Sequence, residues 1–302
     1  AGDDAFMFKT AQKMYHEISP ETGEFIDFMI DHELMDLQNK PGKASTGYMT
    51  SLPSLKAPFV FSCFNHTIFD MQVLTHELGH AFAGYMAMRS QPISDYYSES
   101  TDIAEIHSMS MEQFAYPYAE WFFGDQADKF RFAHLQEALT FVPFGVAVDE
   151  FQHICYAHPE LTPKERTYQW HLLEEKYMPW RKYENDAFME RGGYWYHKLH
   201  IYLYPFYYIN YTLTTMGAME FKKKYAEDKA AAWQDYLNLC KTGGSRSYLE
   251  TLRYANLSNP FEAGSVARAC GYAEDILLKQ IAEQAQNLSL IHISEPTRQE
   301  AI

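Results

Sequence analysis

The chain has 302 residues, and its 25 Lys+Arg against 40 Asp+Glu leave a formal net charge of −15. With 47% hydrophobic residues it can bury a sizeable core, which excludes bulk disorder; its acidity excludes a nucleic-acid partner, because a polyanion would be repelled. No run of eighteen apolar residues occurs, so no membrane span is expected.

Apolar residues at spacings of three and four predict helices over 5–18 and 21–37, split by Ser19-Pro20. The Pro/Gly-rich stretch 39–47 is a loop. Two β-like runs, 47–52 and 57–63, predict a small antiparallel ribbon. Thr67-Ile-Phe-Asp70 resembles a capping box and starts a helix reaching about residue 88; Ser100-Thr101-Asp102 starts another, to about 120. Further helices are expected over 128–157 with a kink at Pro143, and over 163–177 with proline at the first helical position. Three more cover 194–225, 230–241 and 264–286, with an interhelix turn at Gly243-Gly244-Ser245. The basic run of Lys222, Lys223 and Lys224 reads as a solvated helix face. Residues 289–302 carry no apolar period, resemble translated sequencing-adaptor read-through, and are expected to be a non-native or disordered tail.

The four cysteines (Cys63, Cys155, Cys240, Cys270) are scattered without a Cys-x-x-Cys pair, as in a reduced, cytoplasmic protein. Asn-x-Ser/Thr triplets at Asn65, Asn210, Asn256 and Asn287 are chance matches if no secretion signal precedes them.

His76-Glu77-Leu78-Gly79-His80 carries the chemistry. On a helix, positions i and i+4 lie about 40° apart round the axis, so both imidazoles project from one face about 6 Å apart. Two neutral ring nitrogens at that spacing can reach one Zn²⁺ at about 2.0–2.1 Å. Glu77, roughly 100° further round, can sit beside the metal without ligating it and take a proton from water. With this histidine content, and counting every acid as Glu, the pattern arises by chance in at most roughly 7% of such chains, so context must decide. A third protein ligand and an open position are needed. Glu99, Asp102, Glu105 and Glu112 all lie on or near the next helix, and spacing alone does not choose among them.

The runs Leu74-Thr-His-Glu-Leu-Gly-His-Ala-Phe82 and Ala104-Glu-Ile-His-Ser-Met-Ser-Met-Glu112 resemble the M3 metallopeptidases, specifically the oligoendopeptidase F branch. Ser19-Pro-Glu-Thr-Gly-Glu-Phe25, Pro41-Gly-Lys43 with Pro58-Phe-Val-Phe61, and the segment from His200 to Tyr211 agree, in the right order, over about residues 10 to 280. The resemblance implies a mainly α, zincin-type catalytic domain over 1–288 with the ribbon beside the zinc helix. It implies one Zn²⁺ per chain on His76, His80 and Glu105, with Asp102 the runner-up ligand, Glu77 as base, and Ser108 and Glu112 holding the ligand imidazoles in one tautomer.

An oxyanion formed at a peptide carbonyl is stabilised by neutral donors aimed at it. The resemblance puts that task on His200, Tyr208 and Tyr211, with Tyr204 beside the substrate. From ribbon and likeness together, an exposed strand edge with Phe59 and Phe61 would bind an extended peptide, and the Gly47-Tyr48 loop would close over it. Where family members tend to carry Asn-Phe-Asn-Gly-Thr, this chain has Cys63-Phe-Asn-His66-Thr67; His66 as a fourth ligand would close the water position. Full-length members carry a preceding helical region forming the opposite wall of a channel, so a truncated catalytic part is expected. The expectation is a zinc-dependent metalloendopeptidase cutting short peptides in the cytoplasm, with no nucleic-acid or membrane partner and the oligomeric state left open. The alternative is a catalytically silent zinc- or peptide-binding fragment.

Overall fold

The computed structural model describes residues 4–44, 47–65, 67 and 69–294. After α1 (Asp4–Ile18), Ser19 caps α2 (Pro20–Asp31): its hydroxyl accepts from the Thr22 N–H, while the Thr22 side chain accepts from the Ser19 N–H. That reciprocal pairing satisfies two donors that a helix start leaves orphaned. The helix ends six residues short of the expected boundary. Glu33 adopts φ 53°, and the chain turns into β1 (Met35–Asp36).

With β2 (Tyr48–Leu52) and β3 (Ala57–Phe61), β1 makes a mixed sheet of order β1-β3-β2, not the two-stranded antiparallel ribbon expected. β2 and β3 are antiparallel, Thr50 facing Phe59; β1 runs parallel to β3, Met35 facing Val60. The Val60, Ser62 and Phe64 amides donate to Leu34, Asp36 and Leu37 carbonyls. Those apolar residues read as more helix because their spacing allows it; the unpaired edge of β3 claims them instead, since its buried amides need acceptors.

α3 (Phe69–Ser90) packs on the sheet on one side and on α4 (Thr101–Ala115) on the other. After α5 (Ala119–Phe123) comes the long α6 (Ala127–Ala157), continuous through Pro143, then α7 (Pro163–Tyr177), again started by a capping box, at Thr162 and Glu165, and the short α8 (Ala187–Glu190). The single helix expected over 194–225 is broken. A 3₁₀ turn (Gly193–His197) and α9 (Leu199–Leu203) are followed by an irregular stretch with Phe206 at φ 62°, then by α10 (Ile209–Glu227). Pro205 is the cause, because the residue before a proline is pushed out of the helical region; Tyr204 sits at φ −137°, ψ 68°. α11 (Lys229–Thr242), α12 (Tyr248–Tyr254), which the periodicity did not reveal, and α13 (Ser265–Ser294) complete the fold. Residues 289–294 continue α13, while His66 and residues 295–302 lie outside the described residues. Among the described residues no helix is long and apolar enough to cross a membrane.

The main core gathers around α3, with Phe25, Phe82, Phe114, Phe221 and Tyr236 fully buried. A second core of Phe144, Phe151, Trp170, Trp195 and Tyr208 joins α6 and α7 to the broken segment.

Lys222 does not lie on a solvated face. Lys223 and Lys224 pair with Glu227 and Asp235, but Lys222 is buried with Nζ 3.4 Å from the Tyr116 ring centroid and makes no ion pair among the described residues. Burial, aided by Arg131, pushes its pKa down to about 7. Between that value and the free-lysine value of about 10.4 the unfolded chain binds more protons than the native one, so stability rises with pH across the window. The cation–π contact favours the charged form and offsets part of the penalty, leaving an expected rise on the order of 2 kcal/mol. Urea melts at about pH 7 and pH 10 should show the rise in the wild type and its loss in Lys222→Met. Equal pH slopes for the two proteins would rule out Lys222 as its source.

Candidate metal centre

His76 and His80 stand one turn apart on α3, their rings edge to face at 4.9 Å between centroids. α4 crosses α3 close to them, and Gly79 permits the crossing: a Cβ there would lie 2.7 Å from Ser108 Cα and 3.1 Å from the His107 carbonyl. The near approach sets Glu105 against both rings. Its Oε2 is 3.1 Å from His76 Nε2 and 3.3 Å from His80 Nε2, and the three donor atoms lie within 4.8 Å of one another. A tetrahedral zinc with bonds of about 2.0–2.1 Å separates neighbouring ligand atoms by about 3.3 Å, so the donor set fits that ion. Burial alone would raise the Glu105 carboxyl, but the two imidazoles beside it outweigh burial and hold the group far below the ordinary carboxylate range.

The other acids left open by spacing stand outside the donor set. Glu112 takes His76 Nδ1–H on Oε1 at 2.6 Å and His134 Nε2–H on Oε2 at 2.5 Å. Burial opposes its ionisation, yet those two bonds bring its pKa down to about 2. Glu99 faces the buried His107 at 3.4 Å, and Asp102 is not among the three converging donors, its buried Oδ1 having no hydrogen-bond partner among the described residues. Ser108 Oγ donates to Glu105 Oε2 at 2.9 Å, so it steadies the carboxylate and not an imidazole.

Glu77 stands outside the donor set. It is buried, and its Oε2 has no hydrogen-bond partner among the described residues. Burial pushes its pKa up, with Glu105 and Glu112 adding to the rise against the pull of the two imidazoles. Gly47 is pressed against this carboxylate: a Cβ on it would meet Glu77 Oε1 at 2.7 Å. Gly47 therefore shapes the space around the carboxylate, beyond the loop role expected of it.

A cavity of about 310 Å³ opens beside His76 and Glu112. Met109, Phe141 and Met219 give it apolar walls, and His200, Tyr208 and Tyr211 line it as well. His200, on α9, has its ring 5.1 Å from that of Tyr208 and 5.9 Å from that of Tyr211. Burial and the nearby Lys198 lower the His200 pKa, which keeps the ring neutral with one N–H to donate. Burial, with Tyr194, lifts Tyr208 to about 12, and burial with the neighbouring Tyr207 and the Glu105 carboxylate lifts Tyr211 higher still. Both phenols therefore stay protonated donors. The break at Pro205 is what folds these rings back toward the helix pair.

The remaining expected substrate residues lie apart from the cavity. Tyr204 is exposed and does not line it. Tyr48 stacks on Phe61 at 5.0 Å, and Phe59 packs against the main core. β3 is hydrogen-bonded on both sides, so the strand carrying Phe59 and Phe61 offers no open edge; that edge belongs to β2. His134 and Tyr116, which complete the surroundings of Glu112, carry no motif in the sequence, because they reach the site from α6 and from the 3₁₀ turn after α4.

A family model described as peptidase family M3 matches residues 10–270. The oligoendopeptidase F homolog of Borreliella burgdorferi is 25% identical over 229 residues, 74% of this chain and 38% of that protein. A crystal structure described as an oligoendopeptidase F gives a TM-score of 0.84 at 50% identity, covering 91% of this chain and 49% of the other. PZ peptidase A, solved with an inhibitor, gives 0.84 at 48% identity, covering 92% and 49%. The chain thus spans about half the length of these solved relatives and less of the curated one. With the family pattern running through its helix pair and across most of its length, the chain belongs to peptidase family M3 and is similar to its oligoendopeptidase F members.

Proposed function

We propose that this chain is the catalytic part of a zinc-dependent metalloendopeptidase that hydrolyses internal bonds of short peptides in the cytoplasm. One observation carries the reading: His76 Nε2, His80 Nε2 and Glu105 Oε2 converge within 4.8 Å, beside a cavity that a side chain can enter. One zinc per chain held by those three would act as a Lewis acid on the scissile carbonyl and on water. Glu77 takes the proton from the attacking water and hands it to the leaving amine nitrogen, a task suited to a carboxylate whose pKa burial has raised. Tyr211, Tyr208 and His200 donate hydrogen bonds to the oxyanion, Tyr211 being the one whose phenol feels the Glu105 charge. An extended peptide adds to the open edge of β2, through backbone bonds that are indifferent to side-chain identity.

A second reading, a silent zinc- or peptide-binding fragment, is favoured by the chain's spanning only 38% of the curated relative. Elemental analysis beside a quenched-peptide assay separates the two. The peptidase reading expects about one zinc per chain and cleavage that a chelator stops and added zinc restores. Zinc without cleavage supports the silent fragment, and no stoichiometric metal overturns both.

A further inference from the structure

The Nδ1 side of His76 is held by a run of buried groups that extends well beyond the helix pair. His76 Nδ1–H donates to Glu112 Oε1 at 2.6 Å, His134 Nε2–H donates to Glu112 Oε2 at 2.5 Å, and the Tyr116 hydroxyl donates to His134 Nδ1 at 2.7 Å. Glu112, His134 and Tyr116 are each at most 9% exposed. Three elements contribute: α4, α6 and the 3₁₀ turn Tyr116–Tyr118. Packing fixes each member. The Phe130 ring lies parallel to His134 at 5.7 Å, and Arg131 donates twice to the Tyr116 carbonyl.

The direction of these bonds follows from the carboxylate. An ionised Glu112 can only accept, so both imidazole nitrogens facing it carry protons. The neutral, metal-binding form of His76 then has its proton on Nδ1 and a bare Nε2, the nitrogen that faces Glu105 and His80. A carboxylate held through one oxygen can still turn about its last side-chain bond; one held through both cannot. Glu112 also borders the 310 Å³ cavity, so without His134 it has room to swing away from His76. A buried carboxylate oxygen left without its donor is unfavourable, which drives that swing.

We propose that His134, supported from behind by Tyr116, is a positioning residue that sets the tautomer and orientation of His76 through Glu112 and thereby the affinity of the metal centre. The proposal rests on the zinc reading above, and it assigns to α6 a part in the site that the helix pair alone does not have. Outer groups of this kind are worth about 10- to 100-fold in metal affinity.

The test compares the wild type with His134→Phe, His134→Gln and Tyr116→Phe, each checked for folding by circular dichroism. Zinc affinity is read by competition with a chromophoric chelator, and the metal-free His134→Phe protein is crystallised. His134→Phe should bind zinc about 10- to 100-fold more weakly, and His134→Gln, whose amide N–H can replace the imidazole donor, should recover most of the loss. Tyr116→Phe should lose a smaller factor, about threefold, since it touches Glu112 only through His134. In the metal-free His134→Phe crystal, Glu112 should have left His76. Unchanged zinc affinity in a folded His134→Phe, no recovery in the Gln variant, or a Glu112 that keeps its place in the crystal each overturns the proposal. If the wild type itself takes up no zinc, the peptidase reading fails, and the crystal alone judges this one.

Discussion

If the proposed function holds, Glu77→Gln should lower peptide hydrolysis by about 10²- to 10⁴-fold and leave the metal in place. Glutamine keeps the shape of the side chain and removes only its ability to accept and return a proton. The carboxylate lies outside the three converging donors, so ligation does not depend on it. Its buried Oε2 has no hydrogen-bond partner among the described residues, which leaves its lone pairs available to accept a proton. Since burial already raises the Glu77 pKa, replacing the charge by a neutral amide relieves desolvation, and the melting temperature should not fall. The assay is kcat on a quenched peptide beside zinc content by elemental analysis, in the whole protein that carries this chain. Hydrolysis within a few-fold of wild type would remove Glu77 from the reaction, and loss of zinc alongside activity would make it a ligand.

Gly79→Val should cost about 3 kcal/mol or more of stability and weaken the proposed zinc binding by at least about tenfold. The added Cβ meets Ser108 Cα at 2.7 Å, Met111 Cβ at 3.0 Å and the His107 carbonyl at 3.1 Å. Two of those neighbours are backbone atoms, which cannot rotate aside, so α3 and α4 must separate. Glu105 rides on α4, and its 3.1 Å and 3.3 Å approaches to the imidazoles lengthen with the separation. Gly84, five residues further along α3, is the control. A Cβ there meets the flexible end of Met49 at 3.4 Å, so Gly84→Ala should be neutral or gain up to about 1 kcal/mol from reduced backbone freedom in the unfolded chain. Chemical denaturation together with chelator competition measures both quantities. If the two substitutions behave alike, close helix approach at Gly79 is not what assembles the centre.

Most of the helices are written in local pattern, and so is half of the metal centre. The i, i+4 placement of His76 and His80 follows from helix geometry alone, and a hydroxyl before a proline marks the starts of α2 and α7 in the structure as in the sequence. Glu77 beside the pair is equally local. Periodicity says which residues share a face but not which face meets which, and there the reading ran out. Spacing left four acids near α4 open; the crossing at Gly79 brings in Glu105, while Glu112 turns to His134, Glu99 to His107, and Asp102 stays outside the donor set. Residues 35–36 had helical spacing, yet β3 had amides to satisfy and drew them into a sheet. Lys222 sat in a charged run and is nonetheless buried against Tyr116, because α10 packs that side inward. His134 and Tyr116 come from segments that only the folded chain brings to Glu112, and no local periodicity encodes such a meeting. What a short stretch of chain can settle through its own hydrogen bonds and rotamers is readable in advance; what depends on two distant stretches competing for the same buried partner waits for the fold.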